Sequence, residues 1–141
     1  MEIRKYKSLH AFNAFKMQQF GLDRIEDGGG PFQHLVVQAS DGYPEHFGAE
    51  IRFIETKYIA CASFFLFVTL RLASLQEFPL ASRYPGNNIY CFEESGHLPN
   101  KLPARYYIIA KDVEITVHYA GDNIEVVLGQ RDRIEAGEKE D

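Results

Sequence analysis

The chain has 141 residues, with 15 Lys and Arg against 20 Asp and Glu, which gives a formal net charge of −5. This length is typical of one domain that buries its core without disulfides, and a hydrophobic fraction of 45% excludes intrinsic disorder for the body of the chain. The acidic balance argues against nucleic acid as a partner, because binding to phosphates requires clustered Lys and Arg.

Cysteine content and hydropathy limit the compartment. Cys61 and Cys91 are too few for a disulfide framework and lack the spacing of zinc or redox ligands. Residues 1–20 contain no apolar run of the kind found in secretory signals. The longest weakly polar run, 58–70, has 13 residues, whereas a membrane helix needs roughly 18 to 20. We expect a soluble cytoplasmic protein that has no cofactor and does not enter a membrane.

In chain order, the first predicted element is a helix. Ser8 precedes residues with helical apolar spacing and Gly21 follows them, which is the pattern of an N-cap and a glycine stop. The segment 23–31 is predicted to be an acidic loop that ends in three glycines. Residues 32–39 then alternate as a first strand, with Leu35 and Val37 on one face.

The central segment, 49–74, contains the most apolar strands. Alternation over 51–61 is interrupted at Ile54, which predicts a bulge. Over 64–73 both strand faces are apolar at one end, which predicts a strand covered on both sides by a second layer or by another subunit. A homodimer is therefore one assembly that the sequence allows.

The C-terminal half is predicted to consist of strands joined by turns. A turn at 84–88 precedes a short strand at 89–93. Three further strands are predicted at 105–111, 113–119 and 124–128, and the last two form a hairpin.

These elements together predict an α+β fold, with an N-terminal helix packed on a largely antiparallel sheet of about six or seven strands. Residues 1–130 are expected to form the single domain. Residues 131–141 are expected to form a polar, acidic C-terminal tail.

His118 is the most suggestive candidate for catalysis. Because strand side chains alternate, it shares a face with Glu114, and across the predicted hairpin Glu125 would oppose it and orient the imidazole as a general base. No nucleophile or acid with a recognised motif accompanies these residues. The competing interpretation is an ordinary cross-strand pair on an exposed sheet face.

Candidate metal ligands occur together in one loop, as Asp41, Glu45 and His46. A metal site needs three or four such groups, and this loop has no second histidine nearby. We therefore predict no bound metal, and this loop is the alternative.

The composition favours binding over catalysis. No catalytic set is recognisable, the surface is acidic, and 11 Phe and 8 Tyr supply rings of the type that anchor protein interfaces. The leading hypothesis is a non-catalytic cytoplasmic protein that recognises and occludes a protein partner with a basic surface, as inhibitor and immunity proteins do. The candidate anchors, which flank loops or lie beside polar residues, are Tyr43, Phe47, Tyr84, Tyr90 and Tyr107.

The alternative hypothesis is a small-molecule-binding domain or small enzyme with a pocket between helix and sheet. The strand that is apolar on both faces and five scattered histidines motivate it. Convergence at one pocket of three or more residues from the following set would favour an enzyme: His34, His46, His97, His118, Glu114 and Glu125.

Overall fold

A computed structural model describes residues 3–42, 47–95, 102–119 and 124–140. Within these ranges the protein is mostly antiparallel sheet with few helices. The strands are β1 (Ile3–Tyr6), β2 (Gln19–Asp27), β3 (Gln33–Ser40), β4 (Phe47–Ala60), β5 (Phe64–Leu66), β6 (Val68–Leu72), β7 (Asn88–Glu94) and β8 (Arg105–Tyr119). The helices are α1 (Leu9–Asn13), α2 (Ile124–Glu140) and a 3₁₀ helix at Pro79–Arg83.

The sheet curls into a half-barrel. Its strand order is β5-β2-β3-β4-β8-β7-β6, and β1 pairs with the C-terminal end of β8. The two outermost strands, β5 and β6, are consecutive in the chain and are joined by Phe67. The backbone N–H of Phe67 donates to the Gln18 carbonyl at 2.9 Å, and its carbonyl accepts from the Ser95 N–H at 2.7 Å. One residue therefore ties together the two edges of the sheet.

The core fills the inside of the half-barrel. Alternate residues of the long central strands line it, as the period of two in a strand requires; these include Phe47, Ala49, Ile51 and Phe53 of β4 and Val113, Ile115, Val117 and Tyr119 of β8. Aromatic rings make much of the packing, with Phe20 stacked on Phe65 at 5.5 Å between centroids and Phe53 edge-on to Phe92 at 5.9 Å. Burying each such ring contributes about 1.5–3 kcal/mol.

The predicted bulge in β4 is confirmed. The pairing of β4 with β8 shifts register between Thr56 and Tyr58, and Glu55 has a φ of 50°. Beyond the shift, Tyr58 packs in a second, smaller cluster with Ile89 and Ile109.

The predicted N-terminal helix is correct at its start and wrong in its length. Ser8 is the N-cap, since its Oγ accepts from the Ala11 N–H at 3.1 Å. The helix ends at Asn13, and Lys16, with a φ of 51°, turns the chain into β2. The apolar residues of this segment have helical spacing, but they reach the same core from a helix, a turn and a strand. The spacing therefore does not reflect one continuous helix.

The predicted acidic loop at 23–31 is also wrong in its first half, because residues up to Asp27 belong to β2. Exposed charges such as Arg24 give this strand a polar outer face, which in sequence resembles a loop.

The predicted C-terminal hairpin is wrong. Residues 105–119 form one continuous strand, and α2 begins at Ile124. Val127 of α2 is 1% exposed, and the Glu135 carboxylate accepts hydrogen bonds from the Tyr6 hydroxyl at 2.6 Å and the Arg4 guanidinium at 2.7 Å. Residues 131–140 are therefore helical, while the predicted domain boundaries stay a prediction.

Candidate functional site

The structure does not assemble His118, Glu114 and Glu125 as the predicted cross-strand set. His118 is half-buried, and its ring lies directly over Gly48, where an added Cβ would overlap it. Glu114 is four residues away along β8, roughly 13 Å, and forms an ion pair with Arg52 at 3.7 Å. Glu125 is in α2, so the cross-strand position expected for it does not exist.

The second described histidine of the predicted set has a structural contact. Nδ1 of His34 accepts a hydrogen bond at 2.9 Å from the backbone N–H of Glu55, the residue with positive φ at the β4 bulge. The sheet places His34 opposite the Ile54–Asp112 level of β4 and β8, and His118 is six residues further along β8, roughly 20 Å. The two histidines therefore do not share a pocket.

The described residues form no metal site, and their two thiols are not activated. Glu45, His46 and His97 lie outside the described residues, and the backbone N–H of Asp41 donates to the Phe47 carbonyl at 3.2 Å. The residues that the structure describes contain no group of three or more His, Cys, Asp or Glu placed to hold a metal. Burial raises the pKa of the Cys61 thiol to about 12, and burial also raises the pKa of Cys91, which makes both thiols poor nucleophiles.

Two predicted anchors, Phe47 and Tyr90, belong to the core. Each is 2% exposed. Phe47 contacts Phe15 and Tyr119 edge-on, at 5.0 and 5.6 Å between centroids. Neither Phe47 nor Tyr90 presents its ring to a partner in this structure, which corrects the prediction for these two residues.

Of the three remaining predicted anchors, two lie in the smaller cluster and one lies outside the described residues. Tyr84 and Tyr107 are half-buried in the smaller cluster. Tyr107 stacks on Phe78 at 4.3 Å, and its hydroxyl donates to Glu77 at 2.8 Å. Tyr43 lies outside the described residues.

An exposed apolar patch lies on the segment for which the sequence predicts cover by a second layer or by another subunit. Phe64, Leu66 and Phe67 are 60%, 41% and 53% exposed, whereas Phe65 between them is 5% exposed. We call Phe64, Leu66 and Phe67 the apolar edge. The run of apolar residues on both faces of 64–70 was the indication of this patch in the sequence.

Phe67 has a strained backbone. Its φ of 51° is in the left-handed region, which a bulky residue rarely adopts and which costs an L-residue about 1–2 kcal/mol. The hydrogen bonds to Gln18 and Ser95 hold it there, and the conformation turns the ring outward. Strain of this kind concentrates at functional sites.

A network of charged side chains adjoins the apolar edge on the outer face of the sheet. We call it the charged cluster, and its members are Asp23, Arg24, Glu26, Glu50, Arg52 and Glu114. Gln38 lies between the charged cluster and the apolar edge. It pairs with Gly21, which pairs with Phe64, and its amide donates to Glu50 at 3.2 Å.

The charged cluster is acidic. Arg24 contacts Glu26 and Glu50, both at 2.7 Å, and the Arg52 guanidinium is the main cause that lowers the pKa of Glu26 to about 2. Two guanidinium groups and four carboxylates give 2 − 4 = −2 near neutral pH.

No helix in the described ranges has both the length and the apolar character needed to cross a membrane. Comparison of the chain with protein-family models, with curated proteins and with solved structures finds no match in any of the three.

Proposed function

We propose that this protein is a non-catalytic binding protein that recognises and occludes a protein partner through the apolar edge. The observation that supports it most is the exposure of Phe64, Leu66 and Phe67 by 41–60% at one place on the sheet. Single exposed apolar residues are ordinary, but adjoining ones mark interaction sites. Aromatic side chains are also the usual anchors of interfaces.

The neighbouring charges favour a partner with a basic surface. The charged cluster has a net charge of −2, and the whole chain has −5. A complementary surface would have an apolar centre that meets the apolar edge and a basic rim that meets the charged cluster. Occlusion of a basic functional surface is what acidic inhibitor and immunity proteins achieve.

A binding comparison between matched variants tests this proposal. Immobilised wild-type protein is incubated with extract of the source cells, and retained proteins are quantified by mass spectrometry against Phe64→Ser, Phe67→Gly and Leu75→Ser. Leu75 is the control because it is as exposed as Phe67, at 53%, and lies outside the apolar edge.

We expect one protein to be retained by the wild type and by Leu75→Ser, and its recovery to fall about tenfold or more with either edge variant, as for an interface hot spot. Its recovery should also fall as salt is raised, since the charges lie at the surface. Equal retention by all four proteins would reject the apolar edge as the binding surface.

A second copy of the chain is the competing occupant of the apolar edge. Light scattering of the purified protein separates the two, because a dimer that dissociates in Phe64→Ser would assign the edge to self-association. The enzymatic alternative that used His118 has less support, since His118, Glu114 and Glu125 do not converge among the described residues.

A further inference from the structure

A cleft opens between α1 and β6, beside the residue that joins the sheet edges. We call it the α1–β6 cleft. Its volume is about 370 Å³, equal to that of roughly twelve liquid waters and within the usual range of small-molecule sites. Phe12, Met17 and Phe20 contribute to its floor and are 1–4% exposed, so the cleft reaches the core. Among the described residues, neither His118 nor any carboxylate lines it.

The walls of the cleft are held in place. The side-chain amide of Asn13, at the end of α1, donates to the Leu70 carbonyl at 2.7 Å and accepts from the Leu70 N–H at 2.9 Å. These paired hydrogen bonds fix α1 to the outer edge of β6. A ligand would therefore enter a preformed space and would not have to order it, which reduces the entropy cost of binding.

Two strained residues line this one cleft. Among the described residues other than glycine, positive φ occurs at Lys16, Glu55 and Phe67. Two of these, Lys16 and Phe67, each with a φ of 51°, line the cleft. Such conformations persist only where the surrounding structure enforces them, and they collect at ligand sites.

The chemistry of the lining selects the ligand. Phe67 offers an exposed ring, and the buried rings of Phe12 and Phe20 contribute to the lining below it, so a flat aromatic body packs well there. Lys16 is exposed and forms no ion pair with any described residue, so its ammonium group is available to an anion. Arg133 lines two neighbouring cavities together with Lys16, and Asp41 lines one of them, so two cations face one carboxylate at this end of an otherwise acidic protein.

We propose that the α1–β6 cleft binds a small aromatic anion, a carboxylate or sulfonate of about two rings, with its rings on the apolar floor and its charge at Lys16. This site is separate from the protein-binding role of the apolar edge, although Phe67 borders both.

A pair of dyes tests the proposal directly. 8-Anilinonaphthalene-1-sulfonate is an aromatic anion, and N-phenyl-1-naphthylamine is the same molecule without the sulfonate; both become fluorescent in apolar sites. We expect the wild type to bind the anion about fivefold more tightly than the neutral dye, the advantage of one exposed ion pair. Lys16→Gln should abolish that advantage and leave the affinity for the neutral dye unchanged. Lys111→Gln is the control, because Lys111 is 64% exposed and pairs with Glu55 on β4, outside the cleft.

Further variants separate the cleft from the apolar edge. Thr69→Phe adds a ring at the cleft lining and should weaken both dyes about tenfold, whereas Phe64→Ser should leave both affinities within twofold of wild type. Amide chemical shifts of wild-type protein provide a readout that needs no variant, with the largest changes on adding the anion expected at 12–20 and 67–70. Equal affinities for the two dyes, an anion affinity unchanged by Lys16→Gln, or shifts confined to other residues would overturn the proposal.

Discussion

Replacing Phe67 by glycine and, in parallel, by alanine isolates the backbone strain at the apolar edge. Both changes remove the same exposed ring and differ only in how each residue tolerates a φ of 51°. Alanine keeps the left-handed penalty of about 1–2 kcal/mol. Glycine avoids it but loses about 0.5–1 kcal/mol through the greater freedom of the unfolded chain.

The difference predicts that Phe67→Gly is more stable than Phe67→Ala by about 0.5–1 kcal/mol. For a domain of this length that corresponds to a melting temperature higher by about 2–3 °C. Urea unfolding followed by circular dichroism gives the free energy of unfolding, and a thermal melt gives the second value.

Phe64 supplies the matched control. It is 60% exposed in β5 and is not among the residues with positive φ. There the order should reverse, with Phe64→Ala more stable than Phe64→Gly by about 0.5–1 kcal/mol. If alanine is the more stable replacement at both positions, Phe67 is not strained and the reasoning is refuted.

Three further predictions follow from other contacts. Asn13→Ala should lower the free energy of unfolding by about 1–3 kcal/mol, because it leaves the N–H and carbonyl of Leu70 without their partner; urea unfolding measures this. The pKa of Glu77 is lowered from its ordinary 4.5 to about 2, mainly by its hydrogen bond with Arg71. Glu77 therefore contributes stability that is complete above pH 4.5 and is lost as the pH falls through 2. Wild type should therefore lose more stability than Glu77→Gln across this window in melts at successive pH values. The Cys61 thiol, whose pKa burial raises to about 12, should react with a thiol reagent at pH 8 on the order of 1,000-fold more slowly than in urea-unfolded protein.

Each of these predictions has a control. Asn13→Asp retains the acceptor for the Leu70 N–H but sets a carboxylate oxygen, which cannot donate, against the Leu70 carbonyl, so it should lose at least as much stability as Asn13→Ala. Glu94→Gln is the control for pH, since Glu94 forms no ion pair with the described residues, and it should follow the wild-type curve. A Cys61→Ala variant assigns the reaction to one thiol. An Asn13→Ala variant as stable as the wild type, parallel pH curves for Glu77→Gln and wild type, or rapid labelling of Cys61 in the folded protein would each contradict its prediction.

The parts of the fold that the sequence predicts are those set by local pattern. The cap at Ser8, strand β3 and the bulge near Ile54 depend on side chains within a few residues of one another. The start of β2 does not depend on local pattern. Phe20 belongs to a strand because it pairs with Ala39 and Phe65, which are distant in sequence.

The sequence does not predict helix α2, for a related reason. Its first residues, 124–128, are rich in β-branched side chains and resemble a short strand. The contacts that fix it as a helix lie further along, where Glu135 meets Arg4 and Tyr6 from the opposite end of the chain.

Part of the candidate site could have been found in the sequence. Phe47 has the same parity as Ala49, Ile51 and Phe53 in one strand, so alternation already assigned it to the core and not to an interface. The outward turn of Phe67 could not be predicted, because it depends on hydrogen bonds to Gln18 and Ser95.

Hydroxyl-radical footprinting of the protein alone and with its captured partner tests the central claim most directly. In the free protein Phe64 and Phe67, which are 60% and 53% exposed, should be oxidised readily, and the partner should protect both while Leu75 stays as reactive as before. Full oxidation of Phe64 and Phe67 in the complex, with protection at other residues, would contradict the account.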